Sequence, residues 1–441
     1  MPGTTVPTED ELKEALSTLR AENPTLGIPK LHALLSSTHP DWSVSEKRTR
    51  KVVQSAGLTV APPGGSSASR TAYPKSSVIK DLDIAKWTTK VEVRNFGKEK
   101  GKGLVAKEEI GEGDVIWKED PWVIGPEWEI YDLQRNGRAC AFCTTPLNID
   151  SRLIVNCPDS TSASFCPGRF CSRLCLQRSA VVHPLLCPSK NPASAPLLAF
   201  ARSYQWMALQ ALAHCTAKIL LANQQDEKVL ENDWKLFSSF AELGMEDRMR
   251  DLRETSAGEE FDKAAWKKAH QLIVHAFKEP PLEANKKKLA KILKKPLPDD
   301  IDTKLFDYDA TLHNLGRMSL NLESHGGLYT LHSHLNHSCA PNVSVRHLDQ
   351  RSALARITVI ARQTILPGQE LTISYVNPEL PLPARRRRLG DWGFGKCTCE
   401  RCLKEEKELQ EKEGEMTEKE REEKRQEDEL AKELKEGLGV V

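Results

Sequence analysis

The sequence predicts an α+β protein in which short strands flank a long helical block, and three observations carry that prediction. Strand-period residues occur on both sides of the centre. They are Val91 and Val93, residues 101–106 and residues 113–116 on one side, and Leu371, Ile373 and Tyr375 on the other. Between them, residues 195 to about 300 read as helical, from Leu197-Leu198-Ala199-Phe200 through Leu220 to Trp234, Phe237, Phe240, Trp266, Ile273 and Phe277. Thirdly, residues 140–187 hold seven cysteines and a histidine, several in closely spaced pairs that suit a metal ion. Strands and helices segregated along the chain are the pattern of an α+β architecture.

The chain has 441 residues, 39% of them apolar, enough for a sizeable core and two to four domains. A net charge of +1 makes no general case for a polyanion-binding protein. No apolar run approaches a membrane span, and the N-terminus carries no secretory h-region. Twelve cysteines in such a chain read as metal ligands rather than disulfides, which points to an intracellular, non-secreted protein.

Residues 1–57 read as a small helical module. Thr8-Glu9-Asp10-Glu11 is a capping-box pattern ahead of Leu12, Ala15, Leu16 and Leu19. Pro29 suits a first helical turn before Leu31, Leu34 and Leu35, and Ser43-Val44-Ser45-Glu46 reads as a second capping box. That box leads into Lys47, Arg48, Arg50 and Lys51, with Gly57 as the stop. The helix-turn-helix-like order admits nucleic-acid contact, while a solvated basic helix explains the same residues. Residues 58–80, with Pro62-Pro63-Gly64-Gly65-Ser66-Ser67, read as a flexible linker. Lys286-Lys287-Lys288 reads as a solvated face, and residues 404–441, dominated by Glu, Lys, Arg and Gln, as a charged helical or disordered tail.

Two further stretches gather polar chemistry. Leu335-Asn336-His337-Ser338-Cys339-Ala340-Pro341-Asn342 ends in a turn signal, and Pro367-Gly368 opens a strand that runs to Tyr375. Together they predict a hairpin-like unit with His, Asn, Cys and Tyr close together. Cys397, Cys399 and Cys402 add three thiols in six residues, one short of a closed tetrahedral site.

The pair "NHSCAPN" and "GQELTISYV" closely resembles the two motifs that define the SET domain of protein-lysine methyltransferases. Phe170-Cys171-Ser172-Arg173-Leu174-Cys175 with His183 and Cys187 resembles a MYND zinc finger, and residues 385–402 resemble a post-SET segment. The whole is most similar to fungal SET proteins related to the SET–MYND group. The resemblance implies a SET domain of small sheets around a pseudoknot-like core, interrupted by a MYND-like finger and a helical insert. Its parts would be 81–138 and 311–378 for the two halves of the SET domain, 139–188 for the finger, 189–310 for the insert and 379–403 for the post-SET segment.

The resemblance also implies the site. Lys102, Gly103 and Leu104 would lie in the first SET motif against S-adenosyl-L-methionine, where glycine lets backbone approach the ligand. Asn321, Asn336 and His337 would bind the same donor, Phe394 would stack on its adenine, and Trp392 would line the lysine channel. Gly395 and Lys396 add one residue to the family's usual spacing before Cys397, which shifts the register of Trp392 and Phe394. Three Zn2+ ions would be held: one by Cys140, Cys143, Cys171 and Cys175, one by Cys157, Cys166, His183 and Cys187, and one by Cys339, Cys397, Cys399 and Cys402. Cys157 and Cys166 have eight residues between them where the family usually has two.

Tyr375 is the implied catalytic residue. A lysine amine of pKa about 10.4 must lose a proton before it attacks, and a narrow apolar channel beside a sulfonium favours that loss. Alignment of amine and methyl supplies up to about 7–11 kcal/mol in ideal cases. Whether Tyr375 also takes the proton is open at this stage. The implied function is methylation of histone lysines, on histones or nucleosomes, by a chromatin-associated monomer in the nucleus and/or cytoplasm, with a peptide partner for the finger. The competing reading is a catalytically weak SET/MYND scaffold that recruits partners to chromatin; the presence of Tyr375 argues against it.

Overall fold

The computed structural model describes residues 5, 7–23, 28–55, 73–98, 100–249, 263–347, 355–390, 392–393 and 396–415, and the chain divides into two units, 1–70 and 71–441. In the first unit, α1 (Glu9–Glu22), α2 (Ile28–Thr38) and α3 (Glu46–Ser55) close on Leu12, Leu16, Leu31, Leu35, Val52 and Val53. The first capping box forms as expected: Thr8 Oγ1 accepts from the Glu11 amide at 3.3 Å, and Glu11 accepts from the Thr8 amide at 2.8 Å. The second does not form where it was expected. Helix α3 starts at Glu46, and Ser45 rather than Ser43 accepts from the Arg48 amide. Two of its basic side chains are already engaged, Arg48 with the Pro7 carbonyl and Arg50 with Glu46. Gly57 and residues 58–72 lie outside the described residues.

The second unit begins with a departure from the linker expectation. Residues 73–77 are not loose: Lys75 and Glu242 exchange two backbone hydrogen bonds at 2.8 Å. Strands β1 (Val91–Asn95) and β2 (Lys102–Ala106) form an antiparallel pair, followed by β3 (Val115–Glu119) and β4 (Val123–Ile124). The cysteine-rich segment contains a short hairpin, β5 (Val155–Asn156) with β6 (Arg169–Phe170).

The helical block is built around Met207–Gln225, buried on nearly every face. It packs against Ser194–Ser203, Glu227–Ser239, Lys263–Phe277 and Tyr308–Asn321. Phe237, Phe240, Trp266, Ile273 and Phe277 sit in this core, as their spacing predicts. The expected boundary at 310/311 falls inside the helix Tyr308–Asn321, so the insert and the following half of the domain share that helix.

After it come β7 (Gly327–Leu328), β8 (Asn336–His337), β9 (Val343–Arg346), β10 (Ile357–Ala361) and β11 (Glu370–Ile373). One sheet has the order β1-β2-β11-β8, another β3-β10-β9, and β4 pairs with β7. Each pairs segments from opposite sides of the insert. The hairpin expected between the two polar stretches is corrected here. β8 and β11 are parallel, with Asn336 opposite Thr372 and His337 opposite Ile373. A parallel pair needs a crossover, and β9 and β10 supply it by leaving for the neighbouring sheet and returning. Tyr375 lies two residues beyond the end of β11.

Over its first part the tail is helical, one of the two forms expected for it. Helix Glu400–Glu415 does not simply project into solvent. Glu405 pairs with Arg385, and Glu406 with Arg386 and Lys396, on the preceding helix Leu382–Gly390 and the turn after it. Arg385 is fully buried and also donates to the Leu380 carbonyl at 2.6 Å. Residues 416–441 lie outside the described residues.

Candidate active site

Strands β2, β11 and β8 lie side by side and bring residues more than 200 positions apart to one cavity of about 840 Å³. Asn336 is the clamp. Its side-chain amide donates to the Lys102 carbonyl at 3.0 Å and to the Glu370 carboxylate at 2.8 Å. Gly103 sits under this clamp with no space for a side chain: an added Cβ would lie 2.5 Å from the Phe96 ring and 2.8 Å from the Asn336 amide nitrogen. Glycine is therefore required sterically, independent of any turn.

His337 faces the other way. Its Nδ1 accepts from the Tyr375 amide at 3.0 Å, which leaves the ring proton on Nε2, 3.3 Å from Cys339 Sγ. Burial, with the Arg385 charge adding to it, pushes His337 down to about 4, so the ring is neutral near pH 7. The Tyr375 hydroxyl donates to the Leu335 carbonyl at 2.8 Å, and its ring lies 4.6 Å from Trp392 and 5.3 Å from His337. Burial first, then the charges of Glu323 and Glu370, hold the phenol well above its usual range. It is a proton donor in this setting, which argues against Tyr375 as the base.

Lys102, Asn321, Asn336, His337, Tyr375 and Trp392 all line the cavity. Leu104 does not; strand alternation sends its side chain into the core beside Leu371, where it is fully buried. Asn321 reaches the cavity, but its amide is committed to Ala241, donating to its carbonyl at 2.8 Å and accepting from its N–H at 3.2 Å. Phe394 lies outside the described residues. Lys102 is nearly inaccessible; its ammonium is 3.2 Å from Ser333 Oγ, and burial lowers its pKa to about 7.

Sequence reasoning missed Glu370, although it lies inside a quoted motif, because strand alternation says nothing of which carboxylate holds an amide. It also missed Ser76, whose hydroxyl accepts from the Lys102 amide at 3.2 Å. No composition signal could have found it in a stretch that reads as linker.

Three sets of donor atoms converge, each within 4.8 Å: Cys140, Cys143, Cys171 and Cys175; Cys157, Cys166, His183 and Cys187; and Cys339, Cys397, Cys399 and Cys402. Sulfur–sulfur separations within them, such as 3.3 Å for Cys171–Cys175, 3.8 Å for Cys157–Cys187 and 3.4 Å for Cys339–Cys402, are far too long for disulfides. They approach the edge of about 3.8 Å of a tetrahedron with metal–sulfur bonds of about 2.3 Å. The long Cys157-to-Cys166 spacing is absorbed by the β5–β6 hairpin. There the Cys157 amide donates to the Gly168 carbonyl at 2.8 Å and the Cys166 amide to Ser160 Oγ at 2.9 Å. The third set packs with Tyr375 and Trp392, so it adjoins the cavity.

Comparison with known proteins agrees with this geometry. The model of the SET domain family matches residues 101–376. The protein named Histone-lysine N-methyltransferase SET5 of Yarrowia lipolytica is 30% identical over 424 residues, covering 92% of this chain and 84% of its own. Its namesake from Mycosarcoma maydis is 29% identical, with 90% and 84% covered. That of Meyerozyma guilliermondii is 30% identical, with 98% and 88% covered. The matched segment spans more than half of the sequence and contains all three strands of the cavity, β2, β8 and β11, and the chain belongs to the SET domain family.

Proposed function

We propose that the protein is an S-adenosylmethionine-dependent protein-lysine N-methyltransferase acting on histones, and so on chromatin. The observation that carries this reading is the convergence of Lys102, Asn336, His337 and Tyr375 on one cavity. The residues fit the donor. A buried ammonium at Lys102 suits its carboxylate, and Gly103 lets the Asn336 clamp and the Phe96 ring close against the backbone of β2 beside it. When bound, S-adenosylmethionine supplies a methyl group activated by a sulfonium.

The chain's own residues do the rest. Lys102 and Asn336 hold the donor side, the backbone between them fixed by the Asn336 bonds to Lys102 and Glu370. Gly103 and Leu104 contribute main chain to that wall, and Asn321 supports it through Ala241. His337, neutral and hydrogen-bonded at both ring nitrogens, positions the Tyr375 backbone. Tyr375 presents its hydroxyl to the incoming amine, and Trp392 walls the channel beside it. Because Tyr375 stays protonated, the amine proton leaves through water rather than to the phenol. Phe394 would stack on the adenine.

The three cysteine sets would each hold Zn2+ in a closed site without an open position for chemistry. The first two make a MYND-like finger offering a surface to a peptide partner; the third makes a post-SET segment that fastens residues 397–402 beside Tyr375. The test is direct. Purified protein is expected to transfer labelled methyl from S-adenosylmethionine to core histones, with the modified lysines read by mass spectrometry. Zinc-replete protein that binds no S-adenosylmethionine would refute the reading.

A further inference from the structure

The stretch 73–77 precedes the matched SET segment and follows the Pro/Gly/Ser-rich run, yet it is built into the cavity. Lys75 and Glu242 exchange backbone bonds, Ser76 Oγ accepts from the Lys102 amide, and the Ser77 amide reaches the Ser239 carbonyl at 3.4 Å. Glu242 is itself anchored, by ion pairing with Arg317 and by His313 Nδ1 at 2.9 Å. Its neighbour Ala241 is bonded both ways to the Asn321 amide. An unbroken path of bonds therefore runs Asn321, Ala241, Glu242, Lys75, Ser76, Lys102, Asn336, around the cavity. Lys75 and Ser76 are the middle links of that path.

Three residues of the segment face the cavity. Tyr73, Pro74 and Ser76 all line the cavity. Ser76 presses on the glycine-containing loop: Gly101 has φ +69°, and a Cβ there would lie 2.4 Å from Ser76 Oγ. At the other end Pro74 approaches the turn at Gly393, with 3.9 Å between Pro74 Cγ and a Cβ built on that residue. The segment thus bridges the loop before β2 and the turn after Trp392. Its own packing is thin: Tyr73 is 36% exposed. An ordered segment held by a few backbone bonds gains most when a ligand gives it a surface to pack on.

We propose that residues 73–76 form part of the methyl-donor site, with Tyr73 and Pro74 contacting the nucleoside portion of S-adenosylmethionine, and that donor binding and the docking of this segment are coupled. The proposal rests on the donor-site reading above. Aromatic and pyrrolidine rings suit the apolar faces of a purine and its ribose, and Ser76 ties that contact to the Lys102 backbone.

The experiment uses full-length protein and S-adenosylmethionine, with calorimetric titration, steady-state kinetics and hydrogen exchange. Tyr73→Ala changes a partly exposed side chain and leaves the core intact. Lys75→Pro removes the N–H donated to Glu242. The donor Kd is expected to rise about tenfold in each, equivalent to about 1.4 kcal/mol. In Tyr73→Ala the donor KM rises together with the Kd. In the wild type, donor slows exchange of the Lys75 amide. Wild-type donor affinity in both variants, with exchange over 73–77 indifferent to the donor, overturns the proposal. A wild-type protein that binds no donor at all is a different result and sinks the donor-site reading itself.

Discussion

The cysteine sets of residues 140–187 and the set shared by Cys339 with Cys397, Cys399 and Cys402 use the same donor chemistry for different ends. The first two are local: all eight donors lie between Cys140 and Cys187, and the hairpin β5–β6 and two short helices bring them together. A metal there folds its own segment. The third set is not local. It joins one residue beside β8 to three that follow the helix Leu382–Gly390, and it touches the cavity through His337 Nε2 and through Tyr375 packed on Trp392. Position in the chain, not ligand type, would then decide whether a bound metal holds only its own segment or also shapes the cavity.

The largest effect that tests this contrast comes from unequal serine substitutions. Cys339→Ser is expected to reduce methyl transfer at least about a hundredfold, about 2.7 kcal/mol of lost transition-state stabilisation. Cys143→Ser is expected to lose one metal equivalent yet keep transfer within several-fold of the wild type. Elemental analysis beside a histone methylation assay reads both. Equal losses of activity would erase the distinction.

Tyr375→Phe sharpens the comparison from the pocket side. Loss of the hydroxyl removes its bond to the Leu335 carbonyl and the group offered to the amine, while ring packing on Trp392 survives. Transfer is expected to fall about 10- to 100-fold with donor Kd nearly unchanged, and the distribution of mono-, di- and trimethylated product to shift. Donor titration and mass spectrometry of the product check both halves.

A third test asks whether metal alone fastens the segment after Trp392. Arg385 is a fully buried guanidinium bonded to Glu405 at 2.5 Å and to the Leu380 carbonyl, with its Nη2 3.8 Å from Cys402 Sγ. Arg385→Ala leaves those acceptors without their buried partner, a loss of about 3–5 kcal/mol by the usual scale for broken buried pairs. The thermal midpoint should drop clearly, and more than in Arg386→Ala, whose side chain is partly exposed. An unchanged midpoint in Arg385→Ala would leave the metal as the sole fastener.

The sequence was legible where physics is local. Helical spacing located the aromatic core, the Thr8 box started α1, and close cysteine spacing together with motif resemblance picked out the twelve residues whose donor atoms converge in three sets. Asn336, His337 and Tyr375 were found by motif resemblance, since no periodicity assigns a donor to a carbonyl 234 positions away. The parallel pairing of β8 with β11 was missed because turn signals report neighbours in sequence, and the crossover through β9 and β10 carries no local mark. Arg385–Arg388 is a run of four arginines whose spacing does not tell which of them turns inward, yet Arg385 is buried and paired with Glu405 in the charged tail. Residues 73–77 stayed hidden for the same reason: their order is imposed by Glu242 and Lys102, not by their own composition.

The smallest expected effect concerns the wall of the cavity that belongs to neither kind of metal site. Lys102 is held at about 7 by burial alone, so near neutral pH its ammonium and amine are both populated. A carboxylate arriving with the donor favours the ammonium and raises that pKa, so binding takes up a proton. Affinity should then be highest below pH 7 and decline as pH rises through 7, by no more than about tenfold per unit, until the pKa of the bound state is passed. Lys102→Arg, charged throughout this range, should flatten the profile. Titrations in buffers of different ionisation enthalpy would show the proton directly. Because this wall is fixed by Asn336 and Ser76 rather than by thiolates, the profile should survive in Cys143→Ser. A donor affinity independent of pH from 6 to 9 would mean that Lys102 does not meet the carboxylate.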